Sequence, residues 1–134
     1  MGETTETAAQ FIARKSAHWE AERARGVVMR MKDIGQRGWH LYHREAWTFL
    51  PQTGYDDGVI ALERLDHFAG EGAIAVPMVL PATEYRLAYW LVGRIGRSAG
   101  RLVFGQLSPI MAAGDLERLV AKAQPDGTLL TGSA

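Results

Sequence analysis

The fold is decided by residues 85–107, which read YRLAYWLVGRIGRSAGRLVFGQL. Tyrosine, tryptophan, leucine and valine crowd residues 85–95, and such aromatic and β-branched side chains are typical of strands. Apolar residues occupy both faces near Trp90, which predicts a strand covered on both sides. Glycines punctuate residues 96–100, and a second strand is predicted over 101–107. The stretch therefore predicts a β-hairpin with a cationic bend.

Residues 5–25 are predicted to form a helix. Its apolar positions recur at helical spacing, namely Ala8, Phe11, Ile12 and Trp19. Gly26 is a suitable helix stop. Because the apolar stripe is narrow, we expect the helix to pack along one side of a sheet and to keep its charged face in water.

The middle of the chain has mixed signals. Residues 27–31 are a short apolar run that could be helix or strand. Residues 39–50 resemble an aromatic-rich strand. Residues 57–69 fit a helix or a strand, and the spacing of their apolar residues favours the helix. Residues 73–80 are predicted to be an edge strand, because Pro77 interrupts them.

A second helix is predicted to open at Gly114 and Asp115 and to close at Pro125. Its expected packing stripe consists of Leu116, Leu119, Val120 and Ala123. The order of helix, antiparallel strands, hairpin and helix predicts an α+β fold, in which an N-terminal and a C-terminal helix pack against an antiparallel sheet. The length fits a single domain over residues 1–134.

Composition excludes several classes of protein. The chain has no cysteine, which excludes a disulfide framework, a thiolate zinc site and a cysteine nucleophile. The first residues are polar and acidic, unlike a signal peptide, and the longest apolar run is far too short to cross a bilayer. We therefore expect a cytoplasmic protein. The excess of arginine over lysine, with many alanines and glycines, suggests a bacterial source.

Charge is unevenly distributed although it sums to zero. Residues 14–44 hold eight basic and three acidic residues, 85–107 hold four arginines and no acid, and 56–72 hold five acids and one arginine. Such polarity can steer an anionic ligand or protein to one face, or make copies of the chain complementary in a homodimer. Three arginines of the bend are the predicted binding residues: Arg94, Arg97 and Arg101.

The stretch around His43 offers a candidate acid–base pair. In a strand His43 and Glu45 point to one side, whereas His40 and Tyr42 point to the other. A carboxylate beside an imidazole can orient it as a general base. The alternative is that the same residues form a cross-strand polar pair on a solvent-exposed face of the sheet.

A second candidate pair is His67 with Asp66. If residues 39–45 were helical, His40 and His43 would share a face, and this pair could complete a metal shell with them. Neither arrangement has the spacing of a metalloenzyme motif, so no metal and no cofactor are predicted.

Aromatic residues are the third candidate group. Most of them should form the core, and Tyr42, Trp47 and Tyr89 are the ones expected to line a cleft. Aromatics beside arginine can also stack nucleobases. A nucleic-acid partner is nevertheless the weaker alternative, because no RNA-recognition signature, helix-turn-helix pattern or zinc finger is present.

The residues 84–94, EYRLAYWLVGR, followed by VFGQLSP over 103–109 and by Asp115 and Leu116, form a pattern that resembles one in small uncharacterised bacterial proteins. The resemblance covers the last third of the chain. It implies that the hairpin and residues 105–109 form a unit, with Gln106 as a polar group beside the sheet.

Two functions follow as hypotheses. The first is a small binding or interaction domain, expected to be a homodimer, that contacts an anionic partner through its arginine-rich bend. The alternative is a small-molecule enzyme or ligand carrier with a pocket between the first helix and the sheet, using His43 and Glu45.

Overall fold

The protein forms a five-stranded antiparallel sheet with a helix at each end of the chain, as seen in a computed structural model that describes residues 6–54, 58–75, 79–92, 102–104 and 111–130. The sheet is a meander in the order β1-β2-β3-β4-β5. In chain order the elements are α1 (Ala8–Arg25), β1 (Met29–Lys32), β2 (Trp39–Pro51), β3 (Val59–Glu71), β4 (Ala82–Val92), β5 (Leu102–Phe104) and α2 (Ala113–Ala123). The predicted α+β class is confirmed.

Helix α1 is defined by local signals at both ends. At its start the Thr7 hydroxyl accepts from the backbone N–H of Gln10, and the Gln10 side chain accepts from the backbone N–H of Thr7. At its end Gly26 adopts the left-handed conformation, with φ of 68°, which favours glycine. The predicted helix and its stop are therefore confirmed.

Aromatic rings join α1 to the sheet. Phe11 and Trp19 of α1 are buried against Phe49 of β2 and Trp90 of β4. Trp19 stacks on Phe49 with ring centroids 5.0 Å apart, and Phe11 lies 5.3 Å from Trp90. Burying side chains of this size stabilises the fold by about 1.5–3 kcal/mol each, so this cluster is the main apolar core of the described residues.

Strand β3 corrects the helix favoured for residues 57–69. Its residues pair antiparallel with β2 on one side and with β4 on the other. Alternate residues, which are Val59, Ala61, Glu63, Leu65 and His67, are all buried. This is the period of two of a strand, and the helical spacing of Leu62 and Leu65 was outweighed by two neighbouring strands that satisfy the backbone on both sides.

The edge strand predicted over 73–80 is also wrong for its described residues, which are irregular. One edge of the sheet is formed instead by β1, which pairs with residues 39–42 of β2. The hairpin is confirmed, since β4 pairs antiparallel with β5 through Trp90 opposite Phe104. Its bend, residues 93–101, lies outside the described residues.

The two helices lie on opposite faces of the sheet. Phe49 faces the α1 cluster, whereas its neighbour Thr48 hydrogen-bonds Thr128, just after α2. Successive strand residues point to opposite faces, so one face is covered by α1 and the other by α2. Among the described residues, no helix is long and apolar enough to span a membrane.

Helix α2 is held by a buried acid as well as by apolar contacts. Its buried residues are Asp115, Leu119 and Ala123, while Leu116 and Val120 are exposed, so the predicted four-residue stripe is only half correct. The Asp115 carboxylate accepts from the backbone N–H and the hydroxyl of Thr53 and pairs with Arg118. The hydrogen bonds from Thr53, aided by Arg118, lower the pKa of Asp115 against the opposing effect of burial.

Replacing Trp19 with alanine should destabilise the protein by about 3–5 kcal/mol, because it removes the ring that contacts Phe49 and Trp90. Urea unfolding followed by circular dichroism would measure the loss. The control is Leu116→Ala, an exposed apolar position on α2, which should change stability by less than about 0.5 kcal/mol. Equal stability of the two variants would show that α1 does not pack as described.

In the Asp115→Asn variant, the free energy of unfolding should change less as the pH falls into the acid range. The folded-state pKa of Asp115 is below its ordinary value of 3.8, so its contribution is present above that pH and is lost as the pH falls through the folded-state value. Urea unfolding at several pH values between neutral and strongly acidic should show wild type and variant converging in acid. A constant difference across that range would contradict this assignment.

Candidate functional site

Helix α1 covers only one end of its sheet face, and the other end is open. A cavity of about 450 Å³ lies there. It is lined by Met31, Lys32, Asp33, Ile34, Gly35, His40, Tyr42, His67, Ala75 and Glu84, and we call it the histidine cleft.

A β-bulge at Glu45 places the two histidines of the cleft on one face of the sheet. Trp47 pairs with Glu63 but Arg44 pairs with Leu65, so the residues of β2 on the face of Glu63, Leu65 and His67 change from odd-numbered to even-numbered across Glu45. Tyr42 therefore lies opposite His67, and His40 lies next to Tyr42 on the same face. His40 Nδ1 and His67 Nε2 are 3.1 Å apart, and the two rings meet edge to face.

Each histidine binds a carboxylate through its other nitrogen. His40 Nε2 lies 2.6 Å from an oxygen of Asp33, and His67 Nδ1 lies 2.6 Å from an oxygen of Glu84. A carboxylate can only accept, so each of these two nitrogens carries hydrogen. The nitrogens that face each other, His40 Nδ1 and His67 Nε2, hold at most one hydrogen between them, because two N–H groups would repel each other at 3.1 Å.

Asp33 is fixed by the loop that follows β1. Its carboxylate accepts from the backbone N–H groups of Gly35, Gln36 and Ala75 in addition to His40. The hydrogen bond with His40, supported by the three backbone donors, lowers the pKa of Asp33 despite its burial. Asp33 is thereby held as an anion that orients the His40 ring.

Tyr42 completes the cleft floor. Its ring stacks on His67 with centroids 4.4 Å apart, and its hydroxyl donates to Glu84 over 3.1 Å. Burial, followed by the hydrogen bond and the negative charge of Glu84, raises the pKa of Tyr42 to about 12. Tyr42 is thus a neutral donor under ordinary conditions, and it keeps Glu84 directed toward His67.

A charged layer separates the cleft from the aromatic core. Glu63 of β3 is fully buried between Arg44 of β2 and Arg86 of β4, at 2.8 and 2.7 Å. Arg44 also pairs with Glu22 of α1, and its guanidinium lies 3.9 Å from the Trp19 ring centre. Buried charges need such partners, and this layer ties three strands and α1 together beside the cleft.

The candidate pair His43 and Glu45 lies outside the histidine cleft. Glu45 is the bulged residue between Arg44 and Ala46, and His43, Glu45 and Asp66 offer ligand atoms within 4.8 Å of one another. His43 stacks on Phe68, and its ring nitrogen is 3.9 Å from Asp66. The pair His67 and Asp66 is not formed, because adjacent strand residues face opposite sides and His67 binds Glu84.

The predicted aromatic residues are divided between regions. Tyr42 lines the cleft, whereas Trp47 packs against Trp19 and donates to the Ser16 hydroxyl. Tyr89 pairs across the sheet with Ile60 and does not line the cleft. The remaining predicted binding residues lie outside the described residues: Arg94, Arg97, Arg101 and Gln106.

Sequence reasoning missed Asp33 and Glu84, the two acids that orient the imidazoles. They come from the loop after β1 and from β4, far from both histidines in the chain. The period of two placed His40 and Tyr42 on one face, but the register of β2, β3 and β4 was needed to bring the acids to them. No signal within any one segment points to this combination.

Searches with protein-family models, curated proteins and solved structures found no match to this chain.

Tyr42→Phe should lower stability by about 0.5–1.5 kcal/mol at neutral pH, because it removes the hydrogen bond to Glu84. The folded-state pKa is raised, so this contribution is present below pH 10 and is lost as the pH rises toward 12. Spectrophotometric titration of the tyrosines should show one group that ionises near pH 12 in wild type only. An unchanged titration curve in the variant would contradict the assignment.

Proposed function

We propose that the protein binds a small organic molecule in the histidine cleft. The observation that carries this proposal is the convergence of Asp33, His40, His67, Glu84 and Tyr42 on one cavity. Its volume of about 450 Å³ lies within the range of roughly 300–1,000 Å³ that is typical of small-molecule sites.

The polar groups of the cleft form a connected network around a buried histidine. His67 is only 1% exposed, and its ring is held by Glu84, Tyr42 and His40. Every polar group of a buried network needs a hydrogen-bond partner, because each unpaired member would destabilise the fold. Groups with shifted pKa values that lie together in a cleft, here Asp33 and Tyr42, are typical of functional sites.

The cleft lining indicates the chemistry of the ligand. Met31, Ile34 and Ala75 are apolar, and Ile34 is fully exposed beside the opening. Lys32 adds a positive charge to the same lining. A molecule with an apolar body and a head that accepts hydrogen bonds or carries negative charge would cover Ile34 and bring its head toward Lys32 and His40.

This proposal develops the small-molecule hypothesis and changes its residues. His40 with Asp33, and His67 with Glu84, take the place of His43 and Glu45 as the acid–base groups of the pocket. The arginines predicted to bind an anionic partner belong to the bend, residues 93–101, which lies outside the described residues.

A fragment library screened by ligand-observed NMR, with a chelator present, would test the proposal. Ala75 is exposed and lines the cleft, so Ala75→Phe should fill the cavity and weaken the binding of fragments by at least about tenfold. The matched control is Ala121→Phe, at an exposed position on α2, which should leave fragment binding unchanged. Fragments that bind both variants equally, or no bound fragment at all, would contradict the proposal.

A further inference from the structure

The gap between His40 and His67 has the features of a metal-binding position. Both outer nitrogens donate to carboxylates, which leaves His40 Nδ1 and His67 Nε2 facing each other at 3.1 Å with at most one hydrogen between them. With one shared hydrogen the contact is an N–H···N hydrogen bond, and without it two imidazole lone pairs face each other and are free to bind a cation. We propose that a divalent transition metal ion of the zinc class binds these two nitrogens.

The separation of the nitrogens suits such an ion. Zinc–imidazole bonds are about 2.0–2.1 Å long, so two nitrogens 3.1 Å apart correspond to a nitrogen–metal–nitrogen angle of roughly 100°. That angle lies between the values of octahedral and tetrahedral coordination. Both side chains are already held side by side by β2 and β3.

The surrounding acids provide the support that metal-binding histidines require. A histidine ligand usually donates its second N–H to a carboxylate, which fixes the ring and increases its basicity. Asp33 and Glu84 do this for His40 and His67, each over 2.6 Å. Their two negative charges also balance the charge of a divalent ion, and Arg44 and Arg86 are already paired with Glu63.

Two protein ligands leave further coordination positions directed to the cavity. Sites with open positions are those at which a metal contacts a bound molecule. An oxygen or nitrogen head group of the organic ligand would take such a position, and this part of the inference rests on the proposed function. Metal binding itself requires no organic ligand.

The cluster of His43, Glu45 and Asp66 is the rival position on the described residues. Its side chains are more exposed, with about a third of both His43 and Asp66 accessible. The His43 ring nitrogen lies 3.9 Å from the Asp66 carboxylate, and the cationic Arg23 lines the same small cavity as His43 and Glu45. The His40–His67 position is better prepared, because its rings are oriented before an ion binds.

Calorimetric titration of the full, tag-free chain with Zn²⁺, in the absence of organic ligand, tests the inference. Wild type should bind one ion per chain, and Co²⁺ should give a visible absorption band. His40→Ala is the primary variant, because His67 is more deeply buried and its replacement would disturb the fold more. His40→Ala should weaken Zn²⁺ binding by more than about a hundredfold. Asp33→Asn changes only the supporting acid and should weaken Zn²⁺ binding by about 10–100-fold.

His43→Ala is the matched control and should bind Zn²⁺ like wild type. Circular dichroism would establish that each variant is folded. The inference is overturned if wild type binds no ion, if His40→Ala binds as tightly as wild type, or if His43→Ala loses binding. The fragment screen contains chelator and this titration contains no fragment, so failure of one leaves the other result intact.

Discussion

The ion pairs of the buried Glu63 are the constraint on which the rest of the structure depends. A carboxylate without access to water must be paired, and Arg44 and Arg86 meet it from the strands on either side of β3. Arg44 in turn contacts Trp19 and Glu22 of α1. This layer fixes the register of three strands and marks where the apolar core ends, so that residues beyond it can form an open polar cleft.

Elements with strong local signals could be predicted from the sequence, and those that depend on neighbours could not. The capped helix α1 and the strand pairing of the hairpin followed from spacing and glycine positions. In β3 the spacing of Leu62 and Leu65 also suits a helix, and only pairing with β2 and β4 decides between the two. The stripe of α2 was overestimated because Asp115, which is buried by its bonds to Thr53, takes the place of an apolar residue.

The site was predictable only in part for the same reason. Alternation along a strand placed His40 and Tyr42 together, and it also placed His43 beside Glu45. The β-bulge at Glu45 then decides which residues meet: it places His40 and Tyr42 on the face of His67, and it places His43 opposite Asp66. Bulges depend on the pairing of two strands, so a single segment gives little indication of them.

The positions of hydrogen on the two imidazoles provide the most direct test of the cleft. Long-range ¹H–¹⁵N correlation spectra of the full chain should show hydrogen on His40 Nε2 and on His67 Nδ1, with or without an ion between the rings. These signals should lie far downfield, as expected for short hydrogen bonds to carboxylates. Two results would contradict the paired arrangement. One is hydrogen on His67 Nε2 with none on Nδ1, and the other is a spectrum in which the signals of both rings match those of the exposed His18.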